Sequence, residues 1–214
     1  MGRTLLEELR PKMSPKTVEF IFDFASPNAY LARRALSSIT ERTGASVRIV
    51  PCLLGGIFKL SGNQSPMAAF AQVKGKLGYE HLETERFIAK HQLHEFKLNP
   101  YFPLNTLTIM RGLIAAQRTG VADAYLNTVL AAMWERGEKM DDPTVIERVL
   151  RASSLDSDGL LALTQSPEVK AELLSNTEAA VQRGVFGIPT FFVGDEMFFG
   201  KDRLAQVEEL LARA

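Results

Sequence analysis

The sequence predicts an α/β fold, and three of its stretches carry that prediction. Residues 17–24, TVEFIFDF, alternate with the period of a strand and lead into a helical stripe and a second short strand. Residues 66–183 read almost entirely as helix, rich in Ala, Leu, Glu and Lys and poor in β-branched runs. Strand character returns only near the end, as a hairpin followed by one more helix.

Each element has a local reason. In TVEFIFDF, Val18, Phe20, Phe22 and Phe24 fall on one face, and Glu19, Ile21 and Asp23 on the other. Ser26-Pro27 then opens a helix, since serine is a favoured cap and proline a favoured first residue. Tyr30, Leu31, Ala35, Leu36 and Ile39 continue an apolar stripe until Gly44 closes it. ASVRIVP (45–51) is the second strand, and a strand–helix–strand unit of this kind is parallel with a right-handed crossover. In the helical stretch, breaks are expected at Gly78, Pro100, Pro103, Gly120, Gly137, Pro143 and Pro167. PTFFV (189–193) and EMFF (196–199) flank Gly194-Asp195, a pair suited to a tight hairpin. A closing helix from about Lys201 puts Leu204, Val207, Leu210 and Leu211 on one face. This is the element order of a thioredoxin-like fold with a large all-helical insertion. The expected division is an arm over 1–16, a thioredoxin-like domain over 17–65 and 186–214, and an inserted helical domain over 66–185.

Composition limits the partners. Lys+Arg and Asp+Glu number 25 each, so zero net charge gives no reason to expect nucleic acid or an anionic membrane. No apolar run approaches the roughly 18 residues of a membrane span, and the acidic, interrupted N-terminus is unlike a secretory signal. One cysteine, Cys52, allows no disulfide within the chain. A cytoplasmic location is the expectation.

Three separated segments carry candidate chemistry. In FDFASPNAYLA (22–32) the helix start offers unpaired N–H groups and a dipole that favour an anion. A thiol-redox protein of this topology would place Cys-x-x-Cys there; Ser26-Pro27-Asn28-Ala29 has no cysteine, so disulfide exchange at this point is excluded. Taken alone, Ser26 is a helix cap. In GVFGIPTFFVG (184–194), Pro189 stands where this fold places a cis-proline that turns the Ile188 backbone toward the helix start. The plainer alternative is a proline opening an edge strand. In FFGKDRL (198–204), Gly200 permits close approach of a ligand, and Asp202 either caps the last helix or holds the ammonium of a γ-glutamyl group.

Together with LLGGIFKLSGNQSP (53–66), YFPLNTLTIMR (101–111) and AMWERG (132–137), these segments resemble the 2-hydroxychromene-2-carboxylate isomerase and kappa-class glutathione transferase family, relatives of DsbA. The resemblance runs from about Val18 to the C-terminus, and NTLTIMR and FFGKDRL lean toward the isomerase branch. It implies glutathione as cofactor, with Ser26 bonding its sulfur and favouring the thiolate. Ile188, beside cis-Pro189, would pair with the cysteinyl backbone, and Phe199, Gly200, Lys201 and Asp202 would hold the γ-glutamyl end. Lys59 matches a lysine that meets the substrate carboxylate, and Asn63 and Lys74 match polar residues at the mouth of the site. Phe102 falls where an isomerase presents a tyrosine, so a hydroxyl is missing here. The implied activity is a glutathione-dependent cis-trans isomerisation of an aromatic keto acid, as in aromatic catabolism. A glutathione transferase and a non-catalytic glutathione or peptide binder stay as alternatives, and a homodimer is the state family members often adopt.

Other residues read as structural. Cys52 is expected in the core, and His91 and His94, at i,i+3 spacing on a helix, lack the third ligand of a metal site. Leu130, Met133 and Trp134 read as packing in the helical part, which must also roof the site.

Overall fold

The structure, a computed structural model, describes residues 16–213. Apart from Lys16, the arm predicted over 1–16 lies outside them. Strand β1 (Thr17–Phe22), helix α1 (Pro27–Thr43) and strand β2 (Ser46–Pro51) form the predicted unit, and β1 and β2 are parallel. Helix α2 (Leu54–Ser61) follows, in a stretch for which the sequence reading assigned no element. The helical stretch comprises α3 (Pro66–Ala69), α4 (Lys76–His91), α5 (Leu107–Arg118), α6 (Ala122–Trp134), α7 (Pro143–Ala152), α8 (Ser157–Leu163) and α9 (Pro167–Gln182). Strands β3 (Thr190–Val193) and β4 (Glu196–Phe199), a 3-10 turn at Lys201–Arg203 and α10 (Leu204–Arg213) complete the chain.

The sheet order is β2-β1-β3-β4, with β3 antiparallel to both neighbours. Aromatic rings fill its centre: Phe20 lies 4.7 Å from Phe191 and 5.5 Å from Phe22, and Phe22 lies 4.9 Å from Phe24. On α1, Tyr30, Leu31, Ala35, Leu36 and Ile39 are all buried, as the apolar stripe requires. Helix α10 buries Leu204, Val207 and Leu211.

Several expectations are corrected. The alternation in β1 set Ile21 and Asp23 on the face opposite the phenylalanines, and residues of both faces are buried at this end. β1 is internal to the sheet, and helices cover the end where it enters α1, so period-2 exposure fails there. The strand also stops at Phe22, because residues 23–25 turn into the helix. Gly78 breaks nothing; it lies inside the first turns of α4. His91 and His94 do not share a helix, since α4 ends at His91 with Gln92 left-handed at φ 56°. Pro143 and Pro167 do open helices, capped by Asp142 and Ser166, and Gly120 and Gly137 sit between helices at positive φ.

Glu19, in the middle of β1, makes a pair of contacts across the sheet. Its oxygens lie 2.5 Å from Arg48, its neighbour on β2, and 2.6 Å from Arg183, whose guanidinium covers the Phe192 ring. Burial alone would raise the Glu19 pKa, but the two guanidinium groups outweigh it and hold the carboxyl below its usual value. A depressed folded-state pKa gives stability that is present above the unfolded value and lost as pH falls through the folded one. Glu19→Gln is therefore expected to flatten the acid limb of thermal stability below about pH 4, by at most about 1 kcal/mol. Melting curves of the two proteins at neutral and acid pH check this.

Candidate active site

The site is built around the start of α1. Ser26 has extended backbone (φ −95°, ψ 113°), and its Oγ accepts the Ala29 N–H at 3.2 Å. Proline at the first helical position has no N–H, so the Asn28 amide stays among the orphan donors of the helix start. The Ser26 hydroxyl donates to the Ile188 carbonyl at 3.1 Å, and Ser26 is only 4% exposed. Ser26 thus caps its helix, as the plainer sequence reading has it, and its hydroxyl also faces the Ile188 loop.

The Ile188–Pro189 bond is cis. Pro189 precedes β3, which lies between β1 and β4, so the alternative of a proline opening an edge strand does not apply. Gly200, at φ 96°, donates its N–H to the Pro189 carbonyl at 2.9 Å, tying the end of β4 to the same loop. Beside it, Phe199 packs on Phe186 with ring centres 4.6 Å apart, both rings part-exposed. Phe199 lies so close over Gly187 that a β-carbon there would meet the ring at 2.8 Å. Asn63 Nδ2 donates to the Phe186 carbonyl at 2.8 Å, so Asn63 braces this loop.

Lys201 is turned inward. Its side chain is nearly buried, its ammonium stands 5.3 Å from the centre of the Phe87 ring on α4, and it donates to Asp202 at 3.2 Å. Asp202 caps no helix; Gly200 precedes the 3-10 turn, and among the described residues the exposed Asp202 carboxylate is held by Lys201. Lys59, in the last turn of α2, and Lys74, before Gly75, are exposed and make no hydrogen bond or ion pair among the described residues. Phe102 is half-buried, its ring 5.9 Å from Trp134, and its bond to Pro103 is also cis. Ser26, Ile188, Pro189, Phe199 and Gly200 are thus linked in one connected cluster, with Asn63 bracing its loop.

The sequence reading missed a residue that anchors the turn before Ser26. Asp23 is fully buried, and its Oδ1 accepts Ala25 N–H at 2.9 Å and the Thr106 hydroxyl at 2.7 Å. Its Oδ2 accepts Leu54 N–H at 2.7 Å. Burial pushes the Asp23 pKa up, and these three donors offset only part of that. The one signal in the sequence was an acid in an otherwise aromatic strand end, three residues before Ser26. Cys52 is buried as expected; its Sγ meets the Asn176 carbonyl at 3.4 Å, and burial, with Asp23 nearby, pushes its pKa up to about 12. It offers no reactive thiolate near neutral pH. Among the described residues no cluster of His, Cys, Asp and Glu could hold a metal ion, and no helix is long and apolar enough to cross a membrane.

A helix start that favours an anion, a serine hydroxyl at its cap and a cis-proline loop facing it define a thioredoxin-like protein with no cysteine at the helix start. Comparison with known proteins agrees with that class. The model of the DsbA-like thioredoxin domain matches residues 17–212. A 2-hydroxychromene-2-carboxylate isomerase from Pseudomonas putida is 31% identical over 198 residues, covering 92% of this chain and 94% of that protein. A solved structure of 2-hydroxychromene-2-carboxylate isomerase superposes with a TM-score of 0.76 at 31% identity, covering 92% of this chain and 95% of that one. Human glutathione S-transferase kappa 1 is 27% identical, covering 92% of this chain and 91% of its own length. The chain belongs to the DsbA-like thioredoxin family and, within it, to the group of 2-hydroxychromene-2-carboxylate isomerases and kappa-class glutathione transferases.

Proposed function

We propose that this protein is a glutathione-dependent cis-trans isomerase of the 2-hydroxychromene-2-carboxylate type, working in the cytoplasm. The observation that carries the reading is the Ser26 hydroxyl at the cap of α1, directed at the loop of a cis-proline, where the redox relatives' topology calls for cysteine. Glutathione would lie along that loop with its cysteinyl backbone against Ile188 and its γ-glutamyl end toward Phe199, Gly200, Lys201 and Asp202. The exposed Asp202 carboxylate, fixed by Lys201, suits the ammonium of that end.

A free thiol has a pKa of about 8.5, so only a few per cent is thiolate at neutral pH. The helix start and the Ser26 hydroxyl both stabilise the anion. To donate to sulfur, the hydroxyl exchanges its bond to the Ile188 carbonyl for one to the thiolate. The thiolate then adds to the double bond conjugated with the keto acid: the carbon–sulfur bond forms, and the π electrons move onto the ketone oxygen as an enolate. Rotation follows about the bond that has become single. Collapse of the enolate re-forms the double bond in the other geometry and expels the thiolate, so glutathione is regenerated. In this reading Lys59, exposed and without a hydrogen bond or ion pair among the described residues, would meet the substrate carboxylate, Lys74 and Asn63 would lie toward the mouth, Asn63 also bracing the Phe186 loop, and Phe102 would face the aromatic ring.

The kappa-class relatives support a second reading, in which the thioether product leaves and glutathione is consumed. Glutathione stoichiometry separates the two. With the purified protein and the cis-trans pair of a hydroxybenzylidene keto acid, turnover is expected to need glutathione in catalytic amount and leave its concentration unchanged. One glutathione lost per product would establish the transferase; no turnover of keto acids or electrophilic aromatics despite glutathione binding would leave a non-catalytic binder.

A further inference from the structure

We propose that Thr106 and Trp134, both from the helical stretch, are positioning residues for Ser26. The inference rests on the reading above, that Ser26 donates to the sulfur of glutathione. Residues 23–25, which deliver Ser26 from β1 to α1, belong to neither element, so their place depends on bonds to other segments. Within the turn, Ser26 N–H bonds the Asp23 carbonyl at 3.2 Å and Ala25 N–H the Asp23 carboxylate at 2.9 Å. From outside come Leu54 N–H and the Thr106 hydroxyl, both to the Asp23 carboxylate, and the Trp134 indole N–H, to the Phe24 carbonyl at 3.0 Å.

Two features set the contacts from the helical stretch apart from ordinary packing. Thr106 occupies the cap position of α5, where a threonine hydroxyl ordinarily bonds its own helix start. Here it makes no capping bond; it turns instead to Asp23, and is buried doing so. Giving up a cap is unfavourable for a helix, so a local rule is broken in favour of a contact at the serine turn. Trp134, the last residue of α6, is fully buried and held at both ends: its indole N–H bonds Phe24, and its carbonyl accepts Lys97 N–H at 2.6 Å. Its ring packs between Phe96, 6.0 Å away, and Phe102, 5.9 Å away. Phe102 is the ring assigned to the substrate wall. That wall and the serine turn therefore share one indole, fixed to both.

A hydroxyl-to-sulfur hydrogen bond weakens steeply as its geometry degrades, so loosening this turn should appear in the thiol pKa of bound glutathione. The test uses the full chain with glutathione bound, titrated by the ultraviolet absorbance of the thiolate, in Thr106→Val and Trp134→Phe. Thr106→Val keeps the shape of its side chain, Trp134→Phe keeps an aromatic ring in place of the larger indole, and each removes one donor. Each is expected to raise the thiol pKa, cutting the thiolate fraction at neutral pH roughly three- to tenfold. Thr106→Ser should restore it. In a Ser26→Ala background, both substitutions should then have no further effect on that pKa. Should Trp134→Phe fail to fold, Thr106→Val decides, being close to isosteric. The proposal is overturned if the variants melt at lower temperature while the thiol pKa stays put, or if they shift it equally without Ser26. If Ser26→Ala itself leaves the thiol pKa unchanged, the sulfur role of Ser26 falls, and this proposal falls with it.

Discussion

Ser26→Ala is expected to lower glutathione-dependent turnover by about two to three orders of magnitude, the usual effect of removing one preorganised donor from a developing or resident anion. The substitution removes a single oxygen that makes two bonds, one accepted from Ala29 N–H and one donated to the Ile188 carbonyl. Loss of the first uncaps α1, at a cost of about 1 kcal/mol, which the rest of the helix tolerates because its apolar face is buried. Loss of the hydroxyl that makes the second, and that is proposed to turn from Ile188 to the thiolate, would leave the glutathione sulfur with only the helix start to favour its charge. The fall should lie in kcat rather than in the KM for glutathione, since the proposed backbone pairing along Ile188 and the proposed γ-glutamyl contacts do not use the Ser26 oxygen. Ser26→Thr, which keeps a hydroxyl, should recover part of the rate. Steady-state kinetics with each variant, run where circular dichroism reports full folding, give the answer; an alanine variant within twofold of the parent would remove Ser26 from the chemistry.

The largest effect on stability is expected at Asp23. Asp23→Ala leaves Ala25 N–H, Leu54 N–H and the Thr106 hydroxyl without their acceptor in a buried place, at a cost of about 3 kcal/mol. Asp23→Asn keeps one acceptor oxygen but turns an amide toward one of the donors, so its cost should be smaller. The pH dependence runs opposite to that at Glu19. Burial raises the folded-state pKa of Asp23, so the native protein binds this proton more readily than the unfolded chain. Stability linked to it is complete below the unfolded value and declines as pH rises through the raised one. The penalty of Asp23→Asn, which has no proton to bind, should accordingly shrink as pH rises. Urea unfolding at several pH values measures both effects. A variant as stable as the parent would show that the carboxyl anchors nothing.

Much of the fold was legible because its signals are local. The alternation of TVEFIFDF, the Ser26-Pro27 cap, the stripe from Tyr30 to Ile39 and the turn at Gly194-Asp195 depend on neighbours a few residues away. So do Pro143 and Pro167, which open helices wherever the chain carries them. The same locality misled at Gly78, where propensity read a break and the packing of α4 carried the helix through. Alternation also left open which faces of β1 are covered, and at the end that carries Ile21 and Asp23 both are.

The candidate site divides along the same line. Its types and order along the chain, with serine in the cysteine's position, Ile188 before Pro189 and Gly200 before Lys201-Asp202, were determined by the sequence. The inward turn of Lys201 onto Phe87, the hold of Lys201 on Asp202, the burial of Asp23 and the reach of Thr106 and Trp134 to the serine turn were decided only in three dimensions. Apart from the bond between neighbours Lys201 and Asp202, these contacts join residues far apart in the chain, and a hydrogen bond exists only where folding has brought donor and acceptor within about 3 Å. A helix cap can be read from its own few residues; whether that cap also faces a ligand depends on loops that arrive from the other end of the chain.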